Sequence, residues 1–365
     1  MKNTFGNSLT VTLFGESHGD FIGAVLDGVA PGIKIDRENI DKRLSQRRPS
    51  GKISTARVEK DEYIIASGEY QGYTTGTPLT VLIPNTNKKS GDYEKLASTP
   101  RPSHADYTAE CKYHGFQDKR GGGHFSGRIT AALVAVGAIL ESALMNKGIL
   151  IGTHILELHG VADRVFDSYS EDIASLNASS FPVLREITRE NMMREIEKAA
   201  AMKDSVGGIL ESVVIGLPAG VGEPWFDTLE GMLAHALFSV PAVKGVEFGL
   251  GFAFADVYGS EGNDDFRIDG NKVVTETNNS GGINGGISNG MPIIFRTAIK
   301  PTPSIFKAQK TVNLDDMSET TIEISGRHDP AIIHRARTVV DAVTAITIAD
   351  ALTSRFGTDY LATKD

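Results

Sequence analysis

The stretch Arg128–Lys147, RITAALVAVGAILESALMNK, decides how the rest of the chain is read. It is apolar on nearly every side, rich in Ala and Leu, and closes on Lys147 and Gly148, a good C-terminal stop for a helix. A helix apolar all round is buried, in a core or in a subunit interface. Its mostly apolar run, Ile129–Leu140, falls short of the roughly 20 residues that span a bilayer. The flanking sequence supplies the material to cover it. Leu9, Val11 and Leu13 alternate with Thr10 and Thr12, which predicts a half-buried strand ending at Phe14. Residues 208–216 and 292–299 are further β-like runs. Asp227 and Glu230 make a capping-box-like start for a helix whose Leu229, Met232, Leu233, Ala236 and Leu237 keep helical spacing until Pro241. Residues 189–203 read as an exposed amphipathic helix. Val339, Val343, Ile346 and Ala349 predict another that ends before Gly357, against its β-branched content. There is no internal repeat and no low-complexity linker, so the expectation is one large α/β domain over residues 1–365.

The 365 residues hold 37 Lys+Arg against 46 Asp+Glu, a net charge of −9. That balance argues against nucleic acid as a partner, which needs a basic face. It leaves room for a small anion held by a few clustered arginines. The 39 glycines are about 11% of the chain, above a background of about 7%. Cys111 is the one cysteine, which excludes an internal disulfide framework and suits a reducing compartment. No signal-peptide pattern follows Met1. The expectation is a soluble, cytoplasmic protein with no membrane partner.

Four segments gather glycine, histidine and arginine. Gly15-Glu16-Ser17-His18-Gly19 has the letters of a serine-hydrolase elbow, but the following Phe21–Val29 is a poor helix. The second runs from Arg101-Pro102-Ser103-His104-Ala105-Asp106-Tyr107-Thr108 to Lys119-Arg120-Gly121-Gly122-Gly123-His124-Phe125-Ser126-Gly127-Arg128. Three glycines before a helix N-terminus present backbone N–H groups to an anion, with Arg120 and Arg128 beside them. The Walker lysine and the third glycine of the dinucleotide fingerprint are both missing. Cys111 and His114, three apart with no second pair, read as ordinary structure, and no metal site is expected. Gly281–Gly290 holds five glycines in ten residues and is either a flexible loop or backbone hugging a ligand. Gly326-Arg327-His328-Asp329-Pro330, with His334, Arg335 and Arg337, is either a solvated loop or a carboxylate beside an anion clamp. Arg47 and Arg48 add another cationic pair. Together they suggest a site for a multiply anionic small molecule, with histidines for acid–base work.

Residues 15–19, 101–128 and 326–337 closely resemble, in order and spacing, the three signature regions of the chorismate synthase family, and the likeness runs along essentially the whole chain. The resemblance implies a β-α-β sandwich with a helical layer inside, usually tetrameric. It implies conversion of 5-enolpyruvylshikimate 3-phosphate to chorismate and phosphate, an anti-1,4-elimination that needs reduced FMN without net oxidation. This is the last common step of aromatic amino-acid biosynthesis. A substrate with two carboxylates and a phosphate explains the converging arginines.

Carried over by motif, His18 would protonate the departing phosphate, and His104 would protonate or stabilise the reduced flavin. Asp329, with Ser17, would help take up the proton held by the flavin. Arg47, Arg48, Arg101 and Arg128 would bind substrate anions. FMN would meet His124, Phe125 and Ser126, then Ala242, Gly285, Lys300, Pro301, Thr302, Pro303, Ser304 and Arg327. The sequence departs from the family at Ser50–Ile53, where Lys52 is the candidate second basic contact, and at His124-Phe125. Some relatives reduce their own flavin with NADPH; with no added domain or dinucleotide fingerprint here, an external reductant is expected. The rival readings are a serine hydrolase built on Ser17 and a non-catalytic flavin-binding scaffold.

Overall fold

Two five-stranded antiparallel sheets face each other across a layer of helices in the computed structural model, which describes residues 2–49, 61–86, 98–324 and 329–363. The first sheet holds β1 (Thr4–Phe5), β2 (Thr10–Gly15), β3 (Phe21–Asp27), β4 (Ile64–Ser67) and β7 (Leu79–Pro84), ordered β1-β2-β3-β7-β4. The second holds β8 (Leu150–Leu158), β9 (Val161–Ala162), β10 (Gly208–Ile215), β11 (Val243–Phe248) and β16 (Ile293–Ile299), ordered β11-β16-β10-β8-β9. Four small hairpins complete the strands: β5 (Glu69–Tyr70) with β6 (Tyr73–Thr74), β12 (Phe266–Asp269) with β13 (Lys272–Thr275), β14 (Ile283–Asn284) with β15 (Ile287–Ser288), and β17 (Gln309–Asn313) with β18 (Ser318–Ile322). Period 2 decides the facing: Leu79, Val81 and Ile83 of β7, and Ile293, Phe295 and Ile299 of β16, are buried while their neighbours are less so.

The helices are α1 (Arg37–Arg47), α2 (Asp106–Tyr113), α3 (Thr130–Asn146), α4 (Tyr169–Ala178), α5 (Glu186–Ala201), α6 (Leu229–Ser239), the single turn α7 (Gly259–Gly262) and α8 (Ile333–Phe356). α3 packs on β3 and β7, α8 packs on β8 and β10, and the two helices pack on each other between the sheets. Every residue from Thr130 to Leu144 is buried, as an all-round apolar helix requires. The crossing is close at Gly137, where a Cβ would lie 2.5 Å from that of Ala342. The segment Gly127–Asn146 is in fact long and apolar enough to cross a bilayer; 89% of its apolar stretch is buried inside the fold. Its length is therefore no argument against a span, and its burial is what marks it as a core helix.

α8 overrides the weak propensity of its β-branched residues because burial outweighs a few tenths of a kcal/mol per residue. Thr344 and Thr347 return their hydroxyls to the carbonyls of Val340 and Val343, 2.8 Å each, so neither is left unpaired in the core. α6 starts one residue later than expected. Thr228, not Asp227, is its cap, accepting from Gly231 N at 2.9 Å, because Trp225–Asp227 form a separate 3-10 turn. Residues Phe21–Asp27, a poor helix in sequence, are the strand β3.

Polar groups inside the layer fix how the helices sit. Arg43 of α1 donates through Nε to Glu141 of α3 at 2.7 Å and through Nη2 to the other oxygen. Its Nη1 lies 3.4 Å from Asp341 of α8, which also accepts from Arg337 at 2.9 Å. Two guanidiniums thus meet two carboxylates, all four buried. Farther along α8, Asp350 accepts three backbone bonds, from Asn7, Ser8 and Leu9 (2.9, 2.8 and 2.9 Å), and so clasps the turn between β1 and β2.

Candidate active site

The tight connection between β2 and β3 carries Ser17 and His18, both buried. It leads into a strand, not a helix, so the five-residue motif is no nucleophile elbow. Ser17 Oγ donates to Arg120 O at 3.2 Å and lies 3.1 Å from His18 Nδ1. With the hydroxyl proton on that carbonyl, Ser17 accepts from Nδ1–H rather than waiting to be deprotonated. The Arg120–Phe125 turn closes over this hairpin. Gly123 O accepts from Ser17 N at 3.1 Å, and His124 Nδ1 lies 2.8 Å from Gly15 O. Gly121, Gly122 and Gly123 all have positive φ (63°, 96° and 52°). A Cβ on Gly121 would sit 2.1 Å from His18 Cε1, and one on Gly122 would sit 3.5 Å from His104 Cε1. Bare backbone therefore separates the two histidines.

His104 stands on a turn before α2, with Nδ1 2.7 Å from Asp106 Oδ1. Arg101 binds the same carboxylate through N, Nε and Nη2 at 3.0, 2.7 and 2.8 Å. Burial would raise the Asp106 carboxyl, but the bonds from Arg101 and His104 win and hold it far below the usual range. Asp118, near His18, is likewise held low, first by Arg120 and least by the charge of the His18 ring.

Arg47 closes α1, and Arg128 opens the turn into α3. Both reach Asp61, whose side chain is fully buried, with Arg48 Nε on its edge at 3.3 Å. Burial alone would raise Asp61; the charges of Arg47 and Arg128 reverse that and lower it. Asn85 joins this group to the hairpin that carries His18. Its Oδ1 accepts from Arg128 Nε at 3.1 Å, while its Nδ2 donates to Glu16 O and Gly19 O at 3.0 and 2.9 Å. Arg335 Nε donates to Arg47 O at 2.8 Å and Nη1 binds Asp329, which brings that carboxylate to the same cluster.

Lys300 follows β16, and its Nζ donates to Ser103 O at 2.6 Å, beside His104. Burial, then Lys244, depress its ammonium. Its N–H bonds Ala242 O at 2.9 Å, and Ala242 has φ 76°. Pro303 O accepts from Gln309 Nε2 at 3.2 Å, and Thr302 O from Ser205 Oγ at 2.7 Å, so the Pro301–Ser304 loop is held to this end of β16. Phe125 packs edge-on to Tyr113, and Ser126 accepts from Arg128 N. Gly285 stands elsewhere: the β14–β15 hairpin precedes β16, at the end opposite Lys300, about 20 Å away at ~3.4 Å per residue. Its cluster is no loose loop, since Gly281 and Gly286 fit against Gly249 and the Glu223 carbonyl. Lys52, Arg327 and His328 lie outside the described residues.

Two members of the α8 cluster belong to the core instead. Arg337 joins Asp341 and the carbonyls of Leu176 and Ser179, because residues two apart on a helix point to opposite sides. His334 stacks on Phe181, and burial, then Arg335, push it down to about 3, so it is uncharged. Sequence reasoning missed Asp61, Asn85 and Asp118, and gave Asp106 no part although it sits inside a quoted motif.

A two-sheet sandwich with cations from four segments and two anchored histidines defines an acid–base enzyme for a small, multiply anionic molecule. Residues 9–353 match the sequence profile of chorismate synthase. The chain is 46% identical over 351 residues to a chorismate synthase of Thermococcus gammatolerans, covering 96% of this chain and 97% of the relative. It is 48% identical over 350 residues to that of Pyrococcus abyssi, with the same coverage. A crystal structure of chorismate synthase superposes with a TM-score of 0.76 at 29% identity, covering 98% of this chain and 95% of the other. The chain belongs to the chorismate synthase family.

Proposed function

We propose that the protein converts 5-enolpyruvylshikimate 3-phosphate to chorismate and phosphate, a carbon–oxygen lyase reaction of the shikimate pathway. The observation that carries this is the convergence of Arg47, Arg48 and Arg128 on one carboxylate, tied through Asn85 to the hairpin of His18, with Arg101 beside His104. Such a field suits a substrate with two carboxylates and a phosphate, each guanidinium offering fork geometry to an oxyanion. Residues 1–365 would act as one catalytic domain, since α1, α3, α8 and the first sheet all contribute.

The residues fit reduced FMN. The Gly121–Gly123 turn leaves a cradle that a Cβ would fill, and Lys300 and Arg101 border it with charge suited to a planar anion. His124, Phe125, Ser126, Ala242 and the Lys300–Ser304 loop would hold it, with Arg327 as a further contact. Bound there, the flavin supplies electron density transiently and recovers it. His18, its Nδ1 toward Ser17, would present Nε2 to the departing phosphate and deliver a proton. His104, on the opposite side of the glycine turn, would take up and deliver a proton at Nε2 while Nδ1–H stays on Asp106. Asp329, oriented by Arg335, would take up the proton that the substrate loses, while Ser17 serves through His18. Arg47, Arg48, Arg101 and Arg128 would bind and orient the anions.

A homotetramer is part of the proposal. Trp225, Phe226, Phe252 and Tyr258 are 86%, 96%, 85% and 79% exposed, more aromatic surface than a monomer keeps uncovered. Gly285 adjoins that surface through Asn284, which lines a cleft of about 520 Å³ with Tyr258 and Phe266; it would reach flavin only from another copy. An external reductant and a cytoplasmic setting complete the reading, the latter suiting the exposed thiol of Cys111. The test is anaerobic turnover. Chemically reduced FMN should give chorismate, and NADPH with oxidised FMN should not. No chorismate under the first condition overturns the function; turnover under the second overturns the external reductant alone.

A further inference from the structure

Asp106 receives more donors than a carboxylate at a helix start needs. Oδ2 accepts from Arg101 N and Nε at 3.0 and 2.7 Å, and Oδ1 from Arg101 Nη2 and His104 Nδ1 at 2.8 and 2.7 Å. An ionised carboxylate only accepts, so the 2.7 Å bond to His104 requires the proton on Nδ1. Arg101 Nη2 also lies 3.1 Å from Nδ1, but as a donor it is already directed at Oδ1. The other ring nitrogen, Nε2, then lies on the side of Gly122, where even an added Cβ would stand 3.7 Å from it. His18 is anchored in the same way through Nδ1, but on the neutral Ser17 hydroxyl.

We propose that Asp106 is a positioning residue for the reaction: one carboxylate fixes His104 as the Nδ1–H tautomer with Nε2 toward the reacting groups, and holds the Arg101 guanidinium in place for an anion. This rests on the reading of His104 as an acid–base group. Swapping the carboxylate for an amide reverses one hydrogen bond and favours the wrong tautomer, an effect that costs orders of magnitude in hydrolases using the same arrangement.

The test is a double-mutant cycle with anaerobic kcat and KM measured on reduced FMN. His104→Ala should lower kcat by about 10²–10³-fold. Asp106→Asn should lower kcat by about 10²-fold in the presence of His104 and leave it unchanged in the His104→Ala background, while KM rises in both because Arg101 is released. Independent multiplicative losses in kcat would overturn the proposal. His104→Ala with full activity would instead overturn the reading of His104. A second readout needs no flavin: 15N spectra of histidine-labelled protein at about pH 8.5, two units above an ordinary histidine, assigned by His104→Ala. The wild type should show the proton on Nδ1 of His104, and Asp106→Asn should move it to Nε2. An unchanged tautomer overturns the proposal. Asp106→Asn is isosteric; if it fails to fold, Asp106→Glu, which keeps the acceptor, should retain the Nδ1–H tautomer, and its loss would count equally against it.

Discussion

Arg43 and Arg47 lie one turn apart on α1, both 3% exposed, yet they end in opposite kinds of company. Arg43 enters a closed set in which two guanidiniums meet two carboxylates, Glu141 and Asp341, with Arg337 opposite. Arg47 enters a set in which three guanidiniums share Asp61. The first cluster balances its charge and has no use for a ligand. The second gathers three guanidiniums around Asp61 and stays open to solvent on the side of Arg48, whose side chain is 31% exposed, so an arriving anion can join it. The difference separates scaffold from site more sharply than residue type or burial.

Breaking the balanced cluster should have the largest effect. Glu141→Ala leaves Arg43 buried without its main partner and should cost about 3–5 kcal/mol of stability, measured by urea unfolding. A loss under about 1 kcal/mol would show that the tetrad does not hold the helices. Arg47→Ala should do the reverse, raising KM about 10- to 100-fold, as a lost charged hydrogen bond of roughly 1.5–3 kcal/mol implies. Its unfolding midpoint should fall less than that of Glu141→Ala, because Arg128 still pairs with Asp61; a larger fall with unchanged KM would erase the distinction. Glycines sharpen the same contrast. Gly137→Ala must push α3 from Ala342 and should cost roughly 1–3 kcal/mol, whereas Gly127→Ala, with nothing within 4 Å of the new methyl, should be near neutral in melting experiments.

The smallest effect is in acid. Asp61 is held low by Arg47 and Arg128 against its burial, so its ionised form stabilises the fold above an unfolded value of about 3.9. That contribution is lost as pH falls through the lower folded value. Stability of the wild type should therefore drop more steeply below about pH 4 than that of Asp61→Asn. Parallel curves would mean that Asp61 does not hold the clamp through charge.

The scaffold was legible where one segment carried its own pattern. The apolar stretch after Arg128 announces a buried layer, and alternation at Leu9–Leu13 announces a strand. The site was legible where glycine, histidine and arginine crowd together. Asp61 and Asn85 carry no such signal: one sits inside the charged run Glu59–Glu62 and the other opens the polar run Asn85–Ser90, each of which reads as solvated loop, and only the fold brings them to Arg128. Arg335 and Arg337 show the converse limit, since residues two apart in a charged run diverge by about 200° on a helix. Dense glycine at 281–290 was ambiguous because backbone approaches its own chain as readily as a ligand.

The clasp of Asp350 on Asn7, Ser8 and Leu9 joins residues more than 340 positions apart. During synthesis the first sheet must therefore wait for nearly the whole chain before its opening turn is closed. Such distant contacts slow folding, because a long loop is closed before the bond that rewards it forms. The same carboxylate acts as a checkpoint. A chain cut short before α8 would keep three backbone donors unmet at its first turn, and would lack one of the two central helices that lie between the sheets.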